Sequence, residues 1–442
     1  MSEIAIASPA VARPASYPAA RMERPLEGNY VWLLSALFFF LAATNGRPFW
    51  WSSLAPALAI SGLLILRRSP REVGRAAFNK NYRAFTIPLL IIMVCSVISA
   101  VVSSDPLATI EVLLRCVVPL LIYFSLVGST LRAQDFWKLA VGLAAGATFM
   151  FARGIAAFYS EFGIPDMSTL LWARYDIFRI TGYMDATLGN VSHMGLYVAL
   201  VLPPLIFGLI SFRLGRSIML LSWMALITGL LNLVISGSRT AIVVVVLATA
   251  PIFIRRGFRS IIIFGLFITV LLVAVIYQGL DPVSEGDLIQ RFLPSETSAG
   301  VDASAQERYL SVVHGWQAFK DHPFFGVGPG LSFHYNPYHF PHESLVHVLS
   351  EIGLVGGVTF LIFNLVVLFR TGATVVKRSP TGAQHWRLYW LLGPACWCAF
   401  GIAGGTGFTM SVALLWAGMV HAMLALAYAN VVDVPAYRPS PA

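Results

Sequence analysis

Apolar runs of roughly twenty residues recur from one end of this chain to the other, and no other feature limits its fold so sharply. A backbone that enters hydrocarbon must satisfy its own N–H and C=O groups, so a run long enough to cross about 30 Å becomes a helix. Runs near 29–45, 50–66, 85–103, 110–128, 136–158, 189–211, 217–236, 240–254, 260–279, 343–369, 387–404 and 407–429 predict twelve spans. Composition agrees: 57% of the 442 residues are hydrophobic, only 12% are charged, and the mean hydropathy is +0.74. These values exclude a soluble domain of this length. The expected fold class is all-α, a polytopic integral membrane protein with about 12 transmembrane helices.

Residues 1–28 are rich in Ala, Pro and Arg and lack the apolar core of a signal peptide. They read as a disordered tail, with the first helix retained as an anchor. Cys95, Cys116, Cys396 and Cys398 all fall inside predicted spans, where a thiol behaves as a small apolar side chain. Neither a disulfide nor a metal site is expected from them.

The net charge of +9 does not point to nucleic acid, because the basic residues lie between spans rather than on one face or in a run. Arg67, Arg68, Arg71, Arg75, Lys80 and Arg83 share one loop; Arg213 and Arg216, then Arg255, Arg256 and Arg259, then Arg370, Lys377, Arg378 and Arg387 occupy later ones. All are even-numbered loops. The positive-inside rule therefore predicts cytoplasmic termini and a bacterial inner membrane whose periplasmic face carries the odd loops. The predicted organisation is a tail over 1–28 and helices 1–9 over 29–279 with a periplasmic loop at 159–188. A large ordered periplasmic loop over 280–342, helices 10–12 over 343–429 and a cytoplasmic tail over 430–442 follow. Loops of such length are seldom idle. No internal repeat marks an inverted-repeat transporter.

Cations on the predicted periplasmic side are few and nearly all arginine: Arg47, Arg174, Arg179, Arg239, Arg291 and Arg308, with Lys320 alone. The planar guanidinium fork stays charged and grips phosphate bidentately. Arg239 sits in VISGSRTAIVVVV, a short break whose following helix turns its first N–H groups to the same space, a favourable place for an anion. Arg308 lies in QERYLSVVHGWQAF, where helical spacing puts Tyr309, Val312, Val313 and Trp316 on one expected apolar face. Arg174 and Arg179, in LWARYDIFRITGYMD, each have an Asp nearby that offers an ordinary ion pair.

The stretch HFPHESLVHVLSEIGLVGG opens a predicted span yet carries His339, His342, Glu343, His347 and Glu351. Glu343, His347 and Glu351 recur every four residues, so they form one polar stripe that inside a bilayer must face a cavity or another helix. His342, Glu343 and His347 are not a zinc-binding HExxH, because the second histidine comes at i+5 and points about 140° away. His339 and His342 stand at the periplasmic end. A histidine near its ordinary pKa of about 6.5 serves as a general base beside fixed cations.

These residues resemble the O-antigen ligase and polymerase family. The pattern of a histidine, a small polar residue, nine residues, Gly, two residues and Gly runs here from His342 and Glu343 through Gly353 to Gly356, with Glu343 in place of the usual Asn, Ser or Gln. HPFFGVGPG resembles the family's turn before that helix, SGSRTA its arginine-bearing turn, and RITGYMDATLGNVSHMG is comparable but looser. The resemblance implies a GT-C-like glycosyltransferase architecture and a metal-independent, inverting O-antigen ligase without cofactors. Its donor would be an undecaprenyl-diphosphate-linked glycan and its acceptor the sugar of lipid A–core. An O-antigen polymerase or protein O-oligosaccharyltransferase is the alternative, and a lipid-linked-glycan flippase the competitor from another class. In this reading His342 or His339 is the base, Arg239 and Arg308 hold the diphosphate with Arg174 and Arg179 assisting, and Glu351, Glu343 and His347 support. Membrane lipids are the remaining partner, and nucleic acid is not one.

The topology has a direct test. Gln290→Cys and Arg75→Cys, each in a background without native cysteines, are expected to label oppositely with a membrane-impermeant reagent. Labelling of position 75 from outside intact spheroplasts overturns the assignment.

Overall fold

A computed structural model of the protein describes residues 28–43, 50–132, 135–162, 191–212, 214–236, 238–254, 262, 265, 303–332, 344–376, 382–404 and 413–432. The described helices are α1 (Gly28–Ala42), α2 (Trp50–Leu66), α3 (Pro70–Ala77), α4 (Arg83–Val102), α5 (Pro106–Leu126), α6 (Phe136–Phe162) and α7 (Val191–Ser211). They continue with α8 (Arg216–Ser236), α9 (Arg239–Ile254), α10 (Ala303–Asp321), α11 (Ser344–Val376), α12 (Gly382–Gly404) and α13 (Ala413–Ala427). Eleven of the twelve sequence runs coincide with such a helix, and the run at 260–279 lies outside the described residues. Among the described residues five helical stretches are long and apolar enough to cross a membrane: Arg83–Val102, Phe136–Ala157, Met194–Ser211, Arg216–Leu233 and Ser344–Val376. The protein is an all-α membrane protein.

Burial follows from which helices are apolar all round. Along α7 every residue from Leu196 to Leu202 is buried, so this helix is the axis of the bundle. It packs on α6, α8, α9 and α12. On α8, by contrast, Met219, Leu220, Trp223, Met224 and Ile227 are exposed, a face suited to lipid tails. Lipid offers no hydrophobic drive between helices, so small residues and polar links set the packing. Gly142 of α6 meets Ser35 of α1, whose Oγ donates to Lys138 O at 2.6 Å. The Tyr197 hydroxyl of α7 donates to Ala42 O at 2.7 Å, satisfying a carbonyl at the C-terminus of α1.

One end of the bundle collects most of the described basic residues. Here Arg67 stacks 3.3 Å from the Tyr30 ring centroid, and α3 begins with a capping box between Ser69 and Glu72. The Ser69 backbone N–H, then its hydroxyl, hold the Glu72 carboxyl below the ordinary carboxylate range. A short parallel pairing of β1 (Thr130–Arg132) with β2 (Asn430–Val432) closes this end. Residues 430–432, read from sequence as the start of a tail, are therefore part of the fold; strand pairing between segments three hundred residues apart leaves no local signal. Close approaches at glycines fix the helix directions: Gly195 of α7 meets Ser238 before α9, and Gly393 of α12 meets Leu200 while Gly208 meets Tyr389. The N-termini of α7, α9 and α11 consequently share the end opposite the basic one.

The seating of α1 on α6 gives a measurable prediction. A Cβ on Gly142 would lie 2.0 Å from Ser35 O, whereas one on Gly62 would meet nothing within 4 Å. Gly142→Ala is expected to cost about 1–3 kcal/mol, and Gly62→Ala to leave thermal stability in detergent unchanged. Equal melting temperatures for the two variants would refute the close approach.

Candidate functional site

Ser344 opens α11, and the next turns carry His347, Ser350 and Glu351 into the interior, all buried. The helix then breaks at Gly353, whose φ of 72° and ψ of −170° are not helical. A break inside an apolar helix frees backbone groups that have no water to turn to. Segment 322–330, HPFFGVGPG, supplies the partners. Val327 N–H donates to Ser350 O at 2.8 Å, Gly328 N–H to Glu351 O at 3.1 Å, and Leu354 N–H donates in return to Pro323 O at 2.8 Å. From α4, Ser99 Oγ adds a 2.6 Å bond to Glu351 O.

Two glycines make this approach possible. A Cβ on Gly326 would lie 2.3 Å from the Glu351 carbonyl carbon, and one on Gly353 would lie 2.1 Å from Phe324 O. Both hold φ near +70°, which only glycine adopts at little cost. The turn and the helix break are thus one structure made of two segments.

Against this clamp sits a polar cluster. His347 Nε2 and Glu351 Oε1 are 2.7 Å apart, and Ser332 Oγ donates to the same oxygen at 2.9 Å. The polar stripe read from sequence therefore turns inward, and the histidine that Glu351 holds is His347. Burial makes each bond matter, because an unsatisfied polar group here has no solvent to fall back on.

The arginine turn lies at the same end. Ser238 precedes α9 as its N-cap, with Oγ accepting from Ala241 N–H at 3.4 Å, and Arg239 is the first helical residue. Ser236 Oγ closes the end of α8 onto Leu233 O at 3.0 Å. Gly195 lets α7 seat against this turn, since a Cβ there would meet Ser238 Cβ at 2.4 Å. Two stretches that share no sequence proximity, VSHMG and SGSRTA, are brought together. The positive ends of α7, α9 and α11 gather at this end of the bundle.

Residues 224–361 match the family model described as O-antigen ligase. Over this stretch the chain is similar to the O-antigen ligase family. The matched stretch holds the Ser238 cap, Arg239, the 322–330 turn, the buried cluster and the break at Gly353. No curated protein matches the chain.

Of the residues that sequence singled out, His347 and Glu351 are joined directly. Arg239 and Arg308 are placed through their backbones, at the start of α9 and in the first half of α10. His339, His342, Glu343, Arg174 and Arg179 lie outside the described residues. The apolar face expected on α10 faces outward: Tyr309, Val313 and Trp316 are exposed, whereas Ser311, Gly315 and Ala318 are buried. Small residues let α10 lie close on α11, and close backbone approach outweighs burial of the larger side chains. Sequence reasoning also passed over Ser99 and Ser332, which carry no signal by themselves, and Arg153. The last is half-buried and lies about 25 Å along α6 from Phe136 at 1.5 Å per residue. An arginine in the final third of an apolar run was the signal available.

Removing the shared acceptor tests the cluster. Glu351→Ala strands His347 and Ser332 in a buried setting and is expected to cost about 1–3 kcal/mol for each. Glu351→Gln keeps an acceptor oxygen and is expected to cost less in the same thermal melt. Identical losses for the two would show that the hydrogen bonds contribute nothing.

Proposed function

We infer that this protein transfers a glycan from undecaprenyl diphosphate to a sugar of lipid A–core, acting on the periplasmic side of the bacterial inner membrane. The family match supports a glycosyltransferase of the ligase and polymerase type. The observation that carries the finer reading is Arg239 as first residue of a serine-capped helix, inside the matched stretch and at the end where α7, α9 and α11 all begin. An arginine fork and helix N-termini together favour a bound diphosphate. The opposite end carries the basic loops, so the positive-inside rule sets this one toward the periplasm.

In the proposed reaction the acceptor hydroxyl attacks the anomeric carbon as His342 or His339 takes its proton. The bond from that carbon to the diphosphate oxygen breaks with its electron pair, and the configuration inverts. Arg239 and Arg308, assisted by Arg174 and Arg179, offset the charge that grows on the leaving diphosphate, which fills the part a metal plays elsewhere. The His347–Glu351–Ser332 cluster and the clamp at Gly353 hold the first turns of α11. The exposed apolar helix faces suit the polyprenyl tail.

The test measures donor binding and glycan transfer on the same reconstituted preparations. Arg239→Lys keeps the charge but loses the fork, so it is expected to cut transfer on the order of 10²-fold or more, nearly as far as Arg239→Ala, and to weaken donor binding. His342→Ala with His339→Ala is expected to abolish transfer while leaving donor affinity nearly intact. Full activity of the lysine variant sinks the fork, and near-normal transfer by the double histidine variant sinks the base. Elongated lipid-linked glycan instead of glycosylated lipid A–core assigns the polymerase branch.

A further inference from the structure

At the basic end of the bundle, far from the diphosphate site, two arginines converge on one tyrosine. The guanidinium of Arg370, in the last part of α11, lies 5.9 Å from the Tyr428 ring centroid, and that of Arg387, near the start of α12, lies 4.5 Å from it. Tyr428 is itself buried and fixed by Phe85 and Tyr82, with ring centroids at 5.6 and 6.0 Å. The two cations are therefore mounted on a rigid platform rather than left to snorkel. Among the described residues neither forms an ion pair with a carboxylate. Arg387 Nε is buried without a hydrogen-bond acceptor. Arg68, which donates through Nη1 to Val127 O, adds a third positive charge next to Tyr82.

Two like charges gathered around one ring repel each other, and an anion that meets both relieves this. The neighbouring surface says which kind of anion. On α11, Ile362, Leu365 and Phe369 are exposed, Phe369 by 82%, and their spacing makes a continuous apolar stripe that ends beside Arg370. This is the level at which an apolar helix face gives way to the charged surface, where lipid phosphates lie. We propose that Arg370 and Arg387 form a binding site for an anionic phospholipid, with the phosphate between the two guanidinium groups and an acyl chain along Ile362, Leu365 and Phe369. The site requires only that the chain is a membrane protein and stands whether or not the glycosyl-transfer reading does.

The experiment uses the full chain purified in neutral detergent, with thermal stability followed during titration of phosphatidylglycerol, phosphatidylcholine or inorganic phosphate. Phosphatidylglycerol is expected to raise the melting temperature of the wild type, and the other two are not. Arg370→Gln with Arg387→Gln is expected to weaken the apparent affinity for phosphatidylglycerol by about tenfold or more. Arg71→Gln with Arg75→Gln, which removes the same charge from α3, is expected to leave it unchanged. A photo-crosslinking side chain at Phe369 in otherwise wild-type protein reads occupancy independently of how the arginine variants fold, and is expected to capture phosphatidylglycerol over phosphatidylcholine from an equimolar bilayer. Equal protection by phosphatidylcholine or phosphate, equal loss in the α3 variant, or unselective crosslinking overturns the proposal.

Discussion

The exchange of backbone hydrogen bonds between segment 322–330 and the break at Gly353 is the interaction on which the site end of this protein depends. Val327 and Gly328 donate to the carbonyls of Ser350 and Glu351, and Leu354 donates back to Pro323. A helix interrupted in an apolar setting would otherwise hold polar groups without partners, at a cost of several kcal/mol. A loop segment thereby becomes structural. It also holds Ser332 within 2.9 Å of Glu351, so the polar cluster and the backbone clamp stand or fall together.

The rest of the bundle is arranged by residues that take little room. Gly142 against Ser35, Gly154 against Asn232, and Gly195 against Ser238 draw α1, α6, α7, α8 and α9 together at positions without side-chain bulk. Asn232 contributes further by donating to Phe151 O at 2.9 Å where α8 crosses α6. Large side chains are free to face lipid, as on α8, or the surface, as Tyr309 and Trp316 do on α10. In water these would be sought by the core; in a membrane nothing drives them inward.

Charge divides the molecule along its length. Arginines at the basic end are held by aromatic rings and backbone carbonyls, as Arg67 is by Tyr30 and Arg68 by Val127. At the other end the described charged groups include Arg239 at a helix start, Arg153 within α6, Arg308, Lys320 and Asp321 on α10, Asp105 ahead of α5 and the buried Glu351 with its histidine. On the two proposals made above, the ends take different anions: a diphosphate at one, phospholipid headgroups at the other.

The sequence by itself determined the class of fold and where most helices run, because hydrocarbon leaves an apolar run no alternative to helix. It also pointed to His347 and Glu351, since a polar stripe at four-residue spacing in such a run must face inward, and to the SGSRTA and HPFFGVGPG turns through their glycines. Tertiary structure alone decided what those groups meet. That Glu351 serves His347 and Ser332 together, that Gly353 breaks α11, that α10 lies down on Ser311, Gly315 and Ala318, and that residues 430–432 pair with 130–132 all depend on interactions between distant segments. Periodicity reports which face of a helix is apolar, whereas the choice of neighbour rests on close backbone approach and on which freed carbonyl needs a donor, and neither is written locally in the chain.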